Sequence, residues 1–407
     1  MPLSPTANAS PVRPRVPLAP VLSATSLRAG AAPPQPGVLD ASHACFVTSG
    51  RIAIALALRQ MGIDAGDVVL VPAYHSLSMI PPVQACGAVA RFYRVGADAA
   101  VDLDDLAARI DGTVKVVMVT HYFGFPQAMA PIRALCQRHG VLLLEDCAHC
   151  FFGSHDGRPV GAWGDYAIAS SMKFFPNYEG GMLISAQHRL DGVPLRSAGA
   201  GFEIKVALTT LENSFSYGRL PLLHALLRLP LALKSALWRR LKARAARRST
   251  GAAPAELAPA SSDSSYRFDP AWLDKRSSWC SRRVLAWADH GRIVARRRAN
   301  YQRLDAALGA LPGVRALHRQ LPADACPWMY PLVFEQPQAA FAQLVARAVP
   351  VTRFAEHLWP GVDASVCANS ARLSRHVLAF PCHQELRESE LAWIIEQVRQ
   401  IACGEQP

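Results

Sequence analysis

No run of 18 or more uncharged apolar residues occurs in the sequence, so no membrane-spanning helix is expected. The opening stretch MPLSPTANASPVRPRVPLAP lacks an unbroken apolar core, because Pro and Arg interrupt it, and a secretory leader is not expected. A second Cys pair at zinc-site spacing is missing as well. Cys147 and Cys150 form the one close pair among ten Cys otherwise scattered among apolar neighbours. That pattern suits reduced, buried thiols in a cytoplasmic protein better than a disulfide framework, and no metal site is expected. There is no internal repeat. Acidic residues are absent from Arg219 to Arg248, where seven Arg and two Lys account for nine of the twelve net positive charges. The remainder of the chain is nearly balanced, which argues against a general nucleic-acid-binding surface.

What is present bounds the answer. A chain of 407 residues suggests two or three domains, and 51% apolar residues suffice for a full-sized core. Residues 1–40, rich in Pro, Ala and Ser, read as an arm or loose tail. Regular patterns then begin. SGRIAIALALRQMG predicts a helix opening at Ser49 and Gly50. VVLVPAY (68–74), ARFYRV, VKVVMVTHY (114–122) and VLLLEDC (141–147) predict buried strands separated by helices. Apolar strands without alternation, joined by helices of ordinary length, predict an α/β fold whose largely parallel sheet is sandwiched by helices. Ligands of such sheets bind beyond the carboxyl ends of the strands. Asp156-Gly157 is a hairpin signal leading to YAIASS and then GGMLIS (180–185). These patterns place a large domain over 41–202, a basic Leu-rich insertion and linker over 203–265, a connecting helix over 266–300 and a smaller α/β domain over 301–407. The segment RRVLAWADHGRIVARRRANYQRLDAAL reads as one long helical stretch.

Four features fall on the carboxyl-end side of this sheet. Ser49-Gly50-Arg51 opens a helix, where free N–H groups and the helix dipole favour an anion such as phosphate; an ordinary helix start is the plain alternative. Asp146 ends an apolar strand, where a carboxylate is costly to bury without a cationic partner; it reads either as a functional acid or as a capped structural one. Lys173 lies beside Phe174, Phe175 and Pro176, and an amine in apolar surroundings loses basicity, as Schiff-base formation at neutral pH requires; a solvated loop lysine is its alternative. Ser170 and Ser171 precede the lysine and Glu179-Gly180-Gly181 follows it, a set that suits a phosphate shell or a turn equally well. His75 and His121 read as core histidines or site residues, Tyr122 and Phe123 as packing.

The succession SGR at a helix start, PAYH after a strand, THYFGFP, LLLEDCAHC and GDYAIASSMKFFPNYEGG resembles the DegT/DnrJ/StrS family of sugar aminotransferases. The resemblance covers most of residues 45–200, with a weaker echo in ARLSRHVLAFPCHQEL. It implies the fold type I (aspartate-aminotransferase-like) architecture and pyridoxal 5'-phosphate as cofactor. Position by position, it matches Lys173 with the lysine that carries the cofactor as a Schiff base, and Asp146 with the carboxylate that pairs with the pyridine nitrogen. His149 stands where the family has Gln or His near the ring hydroxyl, and Ser49, Gly50, Arg51 and Ser170 match phosphate-binding positions. The chain departs from the pattern in four places. Arg51 replaces the usual Thr, the segment from serine to lysine is two residues shorter, and Ser76 aligns with the ring-stacking aromatic, which makes His75, or else Tyr74, the expected stacking residue. The Asn-x-Arg-Met segment by which a second subunit reaches the phosphate has no clear counterpart.

The resemblance implies a two-stage transamination from an amino acid, by family analogy glutamate, to a keto sugar commonly carried on a nucleotide, in a homodimer. Retention of Lys173 separates the chain from the family's dehydratases, in which histidine typically replaces the lysine, and leaves a pyridoxal-phosphate-dependent sugar dehydratase as the lesser alternative within the enzyme class. From another class, a non-catalytic or membrane-surface protein on the same fold is suggested by the Leu-rich basic stretch 219–248, whose composition suits an interfacial helix; a solvated basic helix is the plain alternative. Nucleic acid is not an expected partner, since this stretch holds a single aromatic, Trp238.

Overall fold

The structure is a computed structural model describing residues 14–26, 35–229 and 268–404. Its centre is a seven-stranded sheet built from β1 (His43–Val47), β2 (Val68–Pro72), β3 (Val89–Tyr93), β4 (Val114–Thr120), β5 (Leu142–Cys147), β8 (Tyr166–Ala169) and β9 (Gly181–Ser185), in the order β1-β9-β8-β5-β4-β2-β3. The pairings from β8 through β5, β4 and β2 to β3 are parallel. At the other side β9 runs antiparallel to β8 and β1 antiparallel to β9. The short strands β6 (Ser154–His155) and β7 (Arg158–Pro159) form a separate hairpin. Its turn residues Asp156 and Gly157 both take positive φ, 49° and 74°, the backbone a tight two-residue hairpin needs.

The chain crosses from strand to strand through α1 (Gly50–Gln60), α2 (Ile80–Ala85), α3 (Leu103–Arg109) and α4 (Met129–His139). Alternate side chains of the inner strands serve opposite faces. Val69, Val71, Val116 and Met118 pack with Ile52 and Leu56 of α1. Leu70, Val117, Val119 and Leu143 belong to a second core that continues into the C-terminal region, through Tyr301, Leu304, Met329 and Leu378. Coverage of both faces is why these strands are apolar throughout.

After β9 come α5 (Ala200–Ser216) and the helical residues 221–229 (α6). The remainder of the expected insertion, 230–265, lies outside the described residues, as do 266 and 267. The stretch read as one long helix is two, α7 (Trp279–Trp287) and α8 (His290–Leu308). Asp289 separates them, because its side chain accepts from the Arg292 N–H at 2.9 Å and starts a new helix there. The C-terminal region carries the antiparallel sheet β10 (Val314–Ala316), β11 (Met329–Phe334) and β12 (Val377–Pro381), with α9 (Pro337–Ala346), α10 (Ala368–His376) and α11 (Glu388–Ala402). The described part of the N-terminal arm is not loose. Val16 and Val21 are buried, the Pro17 carbonyl is 3.0 Å from His383 Nε2, and Ser23 donates to Glu385 at 2.5 Å.

Candidate functional site

A cavity opens at the carboxyl ends of β4, β5 and β8. Of the residues singled out in the sequence, Ser49, Gly50, Arg51, Asp146, His149, Ser170 and Lys173 line it. The folding reasons are local. Ser49 caps α1 by accepting the Ile52 N–H at 3.4 Å, which aims the first turn of that helix at the cavity. Gly181 of β9 lies against this turn, and a Cβ there would run into the Ser49 carbonyl and the Gly50 nitrogen. Ser170 faces the cavity, whereas the Ser171 hydroxyl packs against Gly180.

Asp146 stands at the end of β5 opposite Thr120 of β4. Its carboxylate accepts the Ala148 N–H at 2.9 Å and the Thr120 hydroxyl at 3.1 Å. Burial pushes its pKa upward; the Ala148 bond, the charge of Lys173 and the Thr120 bond oppose that rise without cancelling it. Lys173 closes a single turn of 3-10 helix, Ser171–Lys173, and its Nζ lies 4.7 Å from the centre of the Trp328 ring. His149 stacks on the same indole, with ring centres 3.8 Å apart. Burial, and secondarily the Lys173 charge, hold this imidazole neutral, well below its ordinary pKa. Its buried Nδ1 has no hydrogen-bond partner.

His75 does not reach the cavity. Its Nε2 accepts the Trp359 N–H at 3.1 Å, so Nδ1 carries the proton and donates to the carbonyls of Ala73 and Pro72 at 3.0 and 3.2 Å. The ring stacks on Phe92, and burial lowers its pKa to about 4. Tyr74 is also buried in the core, and it is Ser76, the next residue along, that lines the cavity. His121 is a core histidine too. Its Nδ1 accepts the Gln127 N–H at 3.0 Å and its Nε2 donates to Glu145 at 3.1 Å. Glu145 further accepts the N–H groups of Gly161, Trp163 and Gly164. His121, Glu145 and Cys147 have ligand atoms within 4.8 Å of one another, but these hydrogen bonds already occupy the imidazole and the carboxylate.

Thr120, Ser76 and Phe354 are also in the lining, and Trp328 and Arg297 support it. Thr120 was open to discovery, since it ends a strand beside Asp146. Phe354, Trp328 and Arg297 come from the C-terminal half, where no motif marks them. Arg297 is wholly buried. Its five N–H groups go to Gln384 Oε1 and to the carbonyls of Pro327, Trp328, Lys173 and Phe174, at 2.9 to 3.4 Å. It thereby ties the backbone of Lys173 to that of the residue whose ring faces the lysine amine.

Residues 37–199 match the model of the DegT/DnrJ/EryC1/StrS aminotransferase family. Over these residues, which are less than half of the chain, it is similar to that family. Within the matched segment lie Asp146, Lys173 and the start of α1. The chain is similar to the GDP-perosamine synthase of Vibrio cholerae, 34% identical over 153 residues, which are 36% of this chain and 41% of that protein. It is also similar to a UDP-N-acetyl-3-dehydro-alpha-D-glucosamine 3-aminotransferase of Acidithiobacillus ferrooxidans, 32% identical over 170 residues, 38% of this chain and 43% of the relative. The matched part therefore spans less than half the length of these curated relatives. Among solved structures, an aminotransferase, TlmJ, from Streptoalloteichus hindustanus superposes with a TM-score of 0.61 at 22% identity, covering 89% of this chain and 86% of the other. A DegT/DnrJ/EryC1/StrS aminotransferase from Brucella abortus gives 0.59 at 20% identity, covering 89% and 87%. The likeness extends the aminotransferase fold to the C-terminal region that the family model does not match.

Proposed function

We propose that the protein is a pyridoxal-phosphate-dependent aminotransferase, moving an amino group from an amino acid, glutamate first among them, to a keto sugar carried on a nucleotide. The observation that carries the reading is the convergence of the Asp146 carboxylate, the Lys173 amine and the first turn of α1 on one cavity. The donor set suits the cofactor. A buried carboxylate with a raised pKa gains from a cationic N–H beside it. A helix start with Ser49 and Arg51 suits a phosphate. The unpartnered Nδ1 of His149 leaves a buried polar atom to be satisfied, as a ring hydroxyl would do.

When bound, the cofactor supplies an electron-withdrawing ring that lets the α-hydrogen of an amino acid depart as a proton. In this reading Asp146 holds the ring nitrogen, Ser49, Gly50, Arg51 and Ser170 hold the phosphate, and His149 stands by the ring hydroxyl. Lys173 is both tether and acid–base group: its Nζ takes the proton from the substrate carbon and returns it elsewhere. Phe354 lines the cavity and the Trp328 ring faces that amine, and together they limit water around it. The sugar nucleotides named for the similar proteins of Vibrio cholerae and Acidithiobacillus ferrooxidans support the acceptor class. The proposal includes a homodimer, after the family, and a cytoplasmic setting, which ten free cysteines suit.

Incubation with glutamate and a panel of nucleotide-linked keto sugars, following 2-oxoglutarate release, tests the reaction. Borohydride treatment of the pyridoxal-phosphate-loaded protein is expected to fix a phosphopyridoxyl group on Lys173, read by peptide mass spectrometry. Lys173→Ala is expected to lower turnover by at least about 100-fold; undiminished turnover in that variant ends the assignment. Light scattering on the purified protein reads the oligomeric state.

A further inference from the structure

Tyr74 and His75, which follow β2 into the core, both meet one segment of the C-terminal region. Residues 353–367 of that segment form neither helix nor strand. At its root Thr352 pairs with Ala379 of β12 through backbone hydrogen bonds of 3.0 and 2.8 Å. Beyond that point other residues must hold it, because it has no ladder of its own. The Tyr74 hydroxyl donates to the Phe354 carbonyl at 3.4 Å, the Trp359 N–H donates to His75 Nε2 at 3.1 Å, and Arg94 Nε donates to the Val366 carbonyl at 3.2 Å. Phe354 is the one member of this segment that lines the cavity.

Backbone preference does not keep Phe354 there. Its neighbour Ala355 has a φ of 56°, in the left-handed region that a residue with a Cβ avoids, and such a conformation persists only where the surroundings impose it. The Phe354 ring meets His149 edge-on, with ring centres 4.7 Å apart, and His149 is the imidazole that also stacks on Trp328. A shift of Phe354 therefore frees one side of the histidine assigned to the ring hydroxyl. His75 is well fitted to prevent that shift. Its proton is committed at Nδ1 to the carbonyls of Pro72 and Ala73, so Nε2 presents a lone pair of fixed direction, and Phe92 stacks on the ring at 4.9 Å. The residue it holds, Trp359, packs its side chain against both of the large hydrophobic cores.

We infer that His75 is a positioning residue of the cavity: through the Trp359 N–H it fixes residues 353–359 and so sets Phe354 against His149. Its effect on the cofactor rests on the function proposed above. Two measurements on the full-length protein test it. Hydrogen–deuterium exchange resolved to single amides reads the anchor, and pyridoxal phosphate binding, followed by quenching of tryptophan fluorescence, reads the cavity. His75→Leu removes the acceptor at similar volume, whereas His75→Gln keeps an acceptor oxygen at the place of Nε2. His75→Leu is also combined with Phe354→Ala, and thermal midpoints are taken alongside. The wild-type Trp359 amide is expected to exchange slowly, at least about tenfold faster in His75→Leu, and at the wild-type rate in His75→Gln. Pyridoxal phosphate is expected to bind His75→Leu at least about fivefold more weakly, with no further loss when that change is added to Phe354→Ala, as befits a residue acting through another. Rapid exchange at Trp359 in the wild type overturns the inference without any variant. So does unchanged exchange or affinity in a folded His75→Leu protein, or a loss of affinity that simply adds to that of Phe354→Ala. A wild type that binds no pyridoxal phosphate sinks the proposed function instead, and exchange at Trp359 still decides whether His75 anchors the segment.

Discussion

Arg297 shows how a charge far from any motif can control a site. A guanidinium buried among neutral acceptors carries a desolvation cost, and burial lowers its pKa, but five hydrogen bonds and the Phe174 ring 4.4 Å from its carbon compensate. Four of its acceptors are backbone carbonyls on the two segments that present Lys173 and Trp328. Arg297→Met strands them together with Gln384 Oε1. At about 1 to 3 kcal/mol for each stranded buried acceptor, the variant is expected to lose about 3 kcal/mol or more of stability, as measured by urea denaturation. An unchanged urea midpoint would mean that the guanidinium clasps nothing. The sequence ARRRAN offers no hint of this, because three consecutive arginines on an amphipathic helix look alike until the fold decides which one turns inward. His75 carries the complementary lesson. Its proximity in sequence to the cavity is real, but the residue after a strand end points either into the site or into the core, and here three hydrogen bonds hold it in the core.

Among the elements, those whose signals are local were legible. Ser49-Gly50 marked the start of α1, Asp156-Gly157 marked the β6–β7 turn, and the apolar runs marked β2, β4 and β5 within two residues of their ends. Strand β1 was not read, since HACFV mixes polar and apolar residues and owes its place to pairing with β9 at the margin of the sheet. The break between α7 and α8 escaped because the apolar periodicity runs through it, and only the Asp289 cap interrupts the ladder. Asp289→Ala therefore loses that cap and is expected to cost about 1 kcal/mol, again by urea denaturation, while leaving the cavity residues in place. A stability equal to the wild type would show the break to be fixed by tertiary packing instead.

At the scale of the molecule, four imidazoles are held neutral chiefly by burial: His75 and His318 near 4, His383 near 3 and His149 well below its ordinary value. In the unfolded chain each takes up a proton near pH 6.5, whereas in the native state it does so only near 4 or lower. The unfolded state then binds more protons through this window, so stability is complete above about pH 6.5 and falls on acidification towards 4. The slope is up to about 1.4 kcal/mol per pH unit for each histidine. Asp146 and Glu179 act in the opposite sense, because burial raises their carboxyls and the folded protein holds protons that the unfolded chain has released. With four lowered imidazoles against two raised carboxyls, the thermal midpoint is expected to decline steadily from pH 6.5 to 4.5; a flat profile would contradict the burial of these rings. The general architecture was readable because parallel strands buried on both faces leave a plain apolar signature. The contribution of the C-terminal region to the cavity was not, because contacts between residues more than a hundred positions apart leave no local trace.

The apolar packing behind the sheet runs without a break from Leu70 and Val117 to Met329 and Leu378. A lobe that swings on a hinge needs a seam along which to part, and here the seam is filled with interlocked side chains. A large rigid swing of the C-terminal lobe would have to prise that packing open, so admission of a bulky acceptor falls to local adjustments at the rim, where Ser76, Phe354 and the turn bearing Lys173 meet.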